Sequence, residues 1–334
     1  MRVVLADPPA FTPPYDHELA AALARAGADV ELVTSRFRFG APPLPQGYAR
    51  RELFYPLSSR IFGRSPLRLP LKALEHMVGL ARLRAIPADV VHMQWLAAPE
   101  MDVRLLRHLA PLVLTAHDLL PRRTAAKRYL WRRLFELFER VVVHSERGRT
   151  VLVDFGVPEE KLRVIRHPVF LTDPPRTDDG RTVLALGTIR PYKQVEHAAR
   201  AARAAGARLL VAGAELGRGY LTQGEIERAL GDATIAVFPY RAELDQSGAL
   251  LQSLGAGVPA VVYDVGGLGE VVREFGAGRA VPPDDVAALS AALEELLDDP
   301  EALAQARAGA RRARAELTWE DSAQAHLALY EELV

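Results

Sequence analysis

P-Y-R-A-E-L-D-Q-S-G-A-L-L-Q-S-L-G-A-G-V-P, residues 239–259, follows the apolar run A-T-I-A-V-F at 233–238. The run reads as a buried parallel strand. The polar loop after it carries Asp245, Gln246, Ser247 and Gly248, and 249–256 reads as a helix ended by Gly257. Ser247 and Gly248 therefore stand where a loop becomes a helix. Free backbone N–H groups and the positive end of the helix dipole make such a place an anion site. Glycine lets a ligand approach the backbone closely, and a diphosphate fits these features.

The same strand-loop-helix pattern recurs on both sides of this stretch. Residues 2–6 read as a strand, 7–15 as a proline-rich loop that cannot be helix, 16–26 as a helix and 29–34 as a strand. That β-loop-α-β unit implies a parallel sheet. Its first loop holds no glycine, which excludes a dinucleotide fingerprint and with it NAD or FAD binding there. Residues 36–70 read as irregular. Helices are expected at 71–85, 125–140 and 147–155, and strands at 90–93, 112–116, 141–144 and 162–165. T-D-P-P-R-T-D-D-G-R at 172–181 is polar and rich in breakers, and reads as a linker. Strands at 182–186, 208–212 and 260–263 and helices at 195–205, 224–230, 286–297, 300–317 and 320–333 then restart the pattern. The fold class is α/β, with two Rossmann-like domains facing a cleft.

With 334 residues, 49% hydrophobic and 25% charged, the chain can bury two cores and stay soluble. It has no cysteine, so disulfides, thiolate catalysis and cysteine-bound metal are excluded. The zero net charge is unevenly spread. Residues 1–170 hold 26 Lys+Arg against 17 Asp+Glu, and the remainder 16 against 25. A basic first half points to an anionic partner or a membrane surface on that side. No run of about 20 apolar residues exists, and the start lacks the apolar core of a signal peptide. A cytoplasmic protein is expected, in peripheral contact with the inner membrane face.

Ligands of open parallel sheets sit beyond the carboxyl ends of the strands. The loop 187–193, G-T-I-R-P-Y-K, follows a buried strand, and its Arg190 and Lys193 suit one anionic group. In G-G-L-G-E at 266–270 the paired glycines, Gly267 among them, allow close backbone approach. Glu270 either accepts from sugar hydroxyls or simply starts a helix.

In order and spacing these features resemble the retaining GT-B glycosyltransferases related to glycogen synthase, the bacterial group 1 family. The likeness rests on VVHMQW (90–95), LTAHDLLP (114–121), VVVHSE (141–146), GTIRPYK, GYLTQGEIERAL (219–230), VFPYR, DQSG, GAGVPAVV, DVGGLGEVV and LTWEDSA. It implies an acceptor-side domain at 1–171, a donor-nucleotide domain at 182–317 and a C-terminal helix at 318–334 that crosses back to the first domain. It further implies transfer of a sugar from a nucleoside-diphosphate sugar with retention at the anomeric carbon, with no metal and no other cofactor. His117, Arg190 and Lys193 would be catalytic. Gly187, Asp245, Gln246, Ser247, Gly248, Gln252, Gly267 and Glu270 would bind the donor. Asp7, Tyr15, Asp16 and Trp95 would lie on the acceptor side, Tyr15 and Trp95 stacking on a sugar ring or packing. The acceptor would be a saccharide, a lipid-linked saccharide or a natural product, and no nucleic acid is expected.

Two features depart from the family. Its members carry two glutamates separated by seven residues. Here Gln252 holds the second position, and Asp245 or Glu243 is the nearest acid to the first. The segment between Gly213 and Gly219 is also shorter than the family's. Both favour an alternative of another class, a non-catalytic sugar-nucleotide-binding or scaffold subunit.

Overall fold

The computed structural model describes all residues except 61–67, 108, 110, 121–123, 214–220 and 242–244. The shortened segment after Gly213, Tyr220 of the GYLTQ motif, Pro121 of LTAHDLLP, Glu243 and Leu244 lie outside the described residues. The chain divides into two compact units. One comprises 1–143, 149–165 and 319–334, the other 144–148 and 166–318.

In the first unit the elements run β1 (Arg2–Asp7), α1 (Pro13–Arg25), β2 (Asp29–Ser35), β3 (Ala49–Phe54), α2 (Arg68–Arg84), β4 (Val90–Met93), α3 (Pro99–Leu105), β5 (Leu112–Thr115), α4 (Arg128–Glu136), β6 (Arg140–Val143), α5 (Glu146–Phe155, which belongs to this unit from residue 149 on) and β7 (Leu162–Val164). The seven strands pair in parallel in the order β3-β2-β1-β4-β5-β6-β7. Alternation along the strands sends Val4, Ala6, Val91, Met93, Leu112 and Leu114 to one face. There they meet Leu80 and Leu83 of α2, Val103 of α3, Trp131 and Leu134 of α4 and Leu152 of α5.

In the second unit the order is β8 (Thr182–Leu186), α6 (Val195–Ala204), β9 (Arg208–Ala212), α7 (Gln223–Asp232), β10 (Ile235–Phe238), α8 (Gly248–Gly255), β11 (Ala260–Tyr263), α9 (Leu268–Phe275), β12 (Gly278–Val281), α10 (Val286–Asp298) and α11 (Pro300–Glu316). Its five strands are parallel in the order β12-β11-β10-β8-β9. Residues 172–181 lie inside this unit, where Thr177 donates its N–H to the Gly231 carbonyl at 3.0 Å. The last helix, α12 (Trp319–Glu331), belongs to the first unit and packs on α1. There the Tyr330 hydroxyl meets His92 Nδ1 at 2.7 Å and Arg25 pairs with Glu320 at 2.8 Å.

Three local expectations are corrected. The first loop does contain helix: α1 begins at Pro13, because proline at the first helical position lacks only an N–H that would be unpaired anyway. Residues 36–70 contain β3, whose A-R-R-E-L-F carries no apolar run because it is an exposed edge strand. The helix expected at 125–140 shortens to nine residues, and the end of its range is strand β6.

In each sheet the chain reverses its direction of strand addition once, between β1 and β4 in the first and between β8 and β10 in the second. Crevices at such switch points are where ligands of open α/β sheets bind.

Candidate functional site

At the first unit's switch point, β1 ends in Asp7 and β4 is followed by Gln94 and Trp95. Asp7 and Asp16 are buried rather than open to an acceptor. Asp7 Oδ2 accepts the N–H groups of Phe11 (2.7 Å) and Thr12 (3.1 Å), which clamps the loop before α1. Asp16 Oδ1 accepts the Thr12 hydroxyl at 3.4 Å. Burial raises both above the usual carboxylate range, and the charge of Asp7 adds to the rise of Asp16. Both carboxyls hold the loop that is expected on the acceptor side.

That loop in turn supports aromatic groups. Trp95 Nε1 donates to Thr12 Oγ1 at 2.9 Å, and the Trp95 ring stacks on His117 with centroids 5.2 Å apart and planes 17° apart. The Tyr15 ring meets His117 edge-on at 4.7 Å. Gln94 Oε1 lies 3.1 Å from His117 Nε2, and both His117 and Trp95 are half-buried. Tyr15 is buried and packs edge-on against Trp319 as well. Tyr15, Trp95 and Gln94 thus hold a half-open histidine at the end of β5.

At the second unit's switch point, Gly187 leaves β8 with φ +100°. A Cβ there would lie 2.7 Å from Lys193 Nζ and 3.4 Å from Ala249 Cβ. Only glycine leaves room for the lysine head beside the start of α8. Lys193 Nζ sits 5.1 Å from the Tyr240 ring centroid. Burial lowers the lysine pKa; Tyr192 works against the shift and the neighbouring Arg190 adds to it. Among the described residues neither Arg190 nor Lys193 makes an ion pair. Two adjacent half-buried cations without a carboxylate call for an anion.

The helix start differs in detail from expectation. Ser247 caps α8 by accepting the Leu250 N–H at 3.3 Å, and its own N–H donates to Gln246 Oε1 at 3.0 Å. The N–H groups of Gly248 and Ala249 have no acceptor among the described residues, so the open pair lies one residue further on. Gln252, one turn along, is half-buried.

Asp245, expected to bind a donor, is fully buried in another role. It accepts the His144 N–H and, at 2.6 Å, the Ser145 hydroxyl, and its carbonyl accepts the Gly267 N–H at 3.0 Å. Burial pushes its carboxyl up to about 7, against the lowering effect of these bonds. Glu270 accepts the N–H groups of Glu146 (3.0 Å) and Arg147 (3.1 Å). A Cβ on Gly267 would meet the Asp245 carbonyl oxygen at 2.2 Å, and one on Gly148 would meet Asp245 Oδ1 at 2.2 Å. Asp245, Gly267 and Glu270 therefore anchor the stretch 144–148; the glycine makes room for backbone, not for a ligand.

The Glycosyltransferase Family 4 signature matches residues 15–172, and that of Glycosyl transferases group 1 matches residues 180–299. The chain belongs to the GT-B glycosyltransferases. A glycogen synthase of Mycobacterium tuberculosis is 40% identical over 114 residues, 34% of this chain and 27% of that protein, so the match spans about a quarter of the relative's length. Sucrose-phosphate synthase from Thermosynechococcus elongatus shares the fold with a TM-score of 0.80 at 19% identity, covering 100% of this chain and 99% of that one. Anabaena HepE, solved with UDP and glucose, shares it with a TM-score of 0.72 at 15% identity over 100% of both chains.

Measured against the family pattern, the second unit brings Gly187, Arg190, Lys193 and the start of α8 to one switch point. It removes Asp245, Gly267 and Glu270 from the candidate donor ligands. Tyr240, beneath Lys193, belongs to the site and was not singled out; the signal for it was its place directly after a buried strand, in VFPYR.

Proposed function

We propose that this glycosyltransferase-family chain transfers a sugar from a nucleoside-diphosphate sugar to an acceptor hydroxyl with retention at the anomeric carbon. The observation that carries the proposal is the pair Arg190 and Lys193, without an ion-pair partner among the described residues, beside the N–H groups of Gly248 and Ala249, likewise without an acceptor among them. A departing nucleoside diphosphate is such an anion, and fixed cations stabilise it as charge develops. That HepE was solved with UDP and glucose supports this reading. His117, in its aromatic frame, is the first unit's candidate for contact with the sugar. No metal is invoked, because the cations and helix N–H groups supply the charge. Incubating the protein with UDP-, GDP- and ADP-sugars and an acceptor panel tests the proposal. One donor should yield a glycoside whose anomeric configuration, read by NMR, matches the donor's. Diphosphate binding with no turnover of any donor would instead favour the non-catalytic alternative.

The acceptor is proposed to be met at an anionic membrane surface. Helix α2 buries Leu80 and Leu83 yet leaves Leu69, Leu74, Met77 and Val78 at 75%, 55%, 43% and 41% exposure. Its charged residues are Arg68, Lys72, Arg82 and Arg84, and its one acid, Glu75, is buried and accepts the N–H groups of Leu57 and Ser58. Exposed Tyr129 on α4, which packs on the same sheet face, has Arg133 over its ring at 5.7 Å. Two copies meeting through this face would oppose like charges, whereas an anionic bilayer complements them. Among the described residues no helix is long and apolar enough to cross a membrane. Sedimentation with vesicles should show binding to phosphatidylglycerol-containing but not pure phosphatidylcholine membranes, and Met77→Glu with Val78→Glu should reduce it at least tenfold. Equal binding by the variant would end this assignment.

A further inference from the structure

We infer that Asp284 is a positioning residue for Lys193, acting through Gln194; this rests on the diphosphate reading above. Among the described residues four non-glycine residues have positive φ, and two of them are Gln194 (+45°) and Asp284 (+62°). They are 90 residues apart and bonded to each other, Gln194 Nε2 donating to Asp284 Oδ1 at 2.7 Å. Arg241 Nη2 donates to the same oxygen at 3.3 Å, and the Arg241 N–H donates to the Tyr192 carbonyl at 2.8 Å. Tyr192 and Gln194 are the residues on either side of Lys193. The turn that presents Lys193 is thus held by Arg241 on one side and by Asp284 on the other.

The strain gives the bond a purpose. A side chain in the left-handed region is unfavourable, and glutamine has none of the local hydrogen bonding that lets asparagine or aspartate rest there. Gln194 is buried and is also the N-cap of α6, with no side-chain cap bond, so the helix does not need glutamine there. Its amide is spent on Asp284. A bond to a charged acceptor is of the same order as the strain it offsets. Without it, φ at 194 is free to return to a negative value, and the chain entering from Lys193 swings with it. Lys193 Nζ has little latitude, since it is packed beside Gly187 and over Tyr240. Asp284 is exposed and its carboxyl is held below its ordinary value, first by the Gln194 bond, so it is ionised wherever the turn must be held. It makes no contact with Lys193 itself.

The test measures binding of UDP, GDP and ADP by calorimetry, together with thermal unfolding, on the full chain. For whichever diphosphate binds, Asp284→Ala should raise Kd about tenfold with little change in Tm, because the residue lies at the surface. Asp284→Asn keeps the acceptor oxygen and should stay within about threefold of wild type. Adding Gln194→Gly to Asp284→Ala should restore affinity, because glycine adopts the left-handed turn without strain. If Asp284→Ala does not fold, Gln194→Ala removes the same bond and is read the same way. Wild-type affinity in Asp284→Ala, or no rescue by glycine, overturns the inference. Lys193→Ala separates the two readings: if it loses affinity while Asp284→Ala does not, the clamp fails and the diphosphate site stands. If Lys193→Ala binds normally, the diphosphate reading itself fails.

Discussion

Lys193→Ala should slow sugar transfer by roughly 10²–10³-fold, the usual cost of removing one preorganised group that stabilises developing negative charge. The protein should remain as stable as before, or become slightly more so. Lys193 is desolvated, stands next to Arg190 and has no carboxylate partner among the described residues to offset either cost. Its folded pKa is lowered, so the folded state disfavours the bound proton. That cost is fully present below the folded pKa and fades as pH rises through it toward the unfolded value. At neutral pH, alanine removes the cost and gives up the contact of the lysine ammonium with the Tyr240 ring. The two measurements separate the functions of this residue. A rate loss with unchanged Tm assigns Lys193 to the reaction. A rate loss with a Tm drop of several degrees would mean that it mainly supports the fold. The pH dependence adds a second check. Diphosphate affinity should fall, as pH rises, at a lower pH than an ordinary lysine would give, and Lys193→Arg should remove that fall, because an arginine stays charged throughout.

The parts of the site legible in the sequence were those whose chemistry is local. Arg190 and Lys193 lie seven residues or fewer from the end of a buried strand, and Ser247 and Gly248 announce a helix start by residue type alone. The parts misread depended on partners far along the chain. Asp245 and Glu270 sit in loops that look ligand-facing. Their partners are His144 and Ser145, and Glu146 and Arg147, 100 or more positions away, and no periodicity reports that. Gly267 was read correctly as a place of close approach and wrongly as to what approaches. Asp7 and Asp16 are expected on the acceptor side, and their burial and their bonds to the loop have no sequence signature. Strand β3 was missed for the opposite reason, exposure, which left it without the apolar run that reveals the inner strands.

Asp245→Ala should destabilise the second unit by about 3–5 kcal/mol, because the His144 N–H and the Ser145 hydroxyl would be left buried without acceptors. Asp245→Asn is the more telling variant. Asparagine has nearly the same shape, its oxygen can take the His144 N–H, and its amide can donate to Ser145 Oγ. Its effect should depend on pH. The Asp245 carboxyl rises from its ordinary 3.8 to about 7, chiefly by burial, so the folded state prefers the protonated form. The stability it contributes is complete below the unfolded value and is lost as pH climbs through about 7. Asparagine has no such loss. The variant should therefore gain on wild type between about pH 4 and 7, by a few kcal/mol at most, and the difference should level off above. His167, whose pKa burial lowers to about 3, pulls the other way: its stability cost is paid in acid and disappears as pH rises. That group is common to both proteins, so it cancels in the difference although it flattens the curve of the wild type. Urea unfolding at half-unit pH steps measures the difference directly. A constant gap from pH 5 to 7.5 would mean that Asp245 titrates as an ordinary, solvated carboxylate. It would then be available to a ligand after all, and the anchor assigned to it would be wrong.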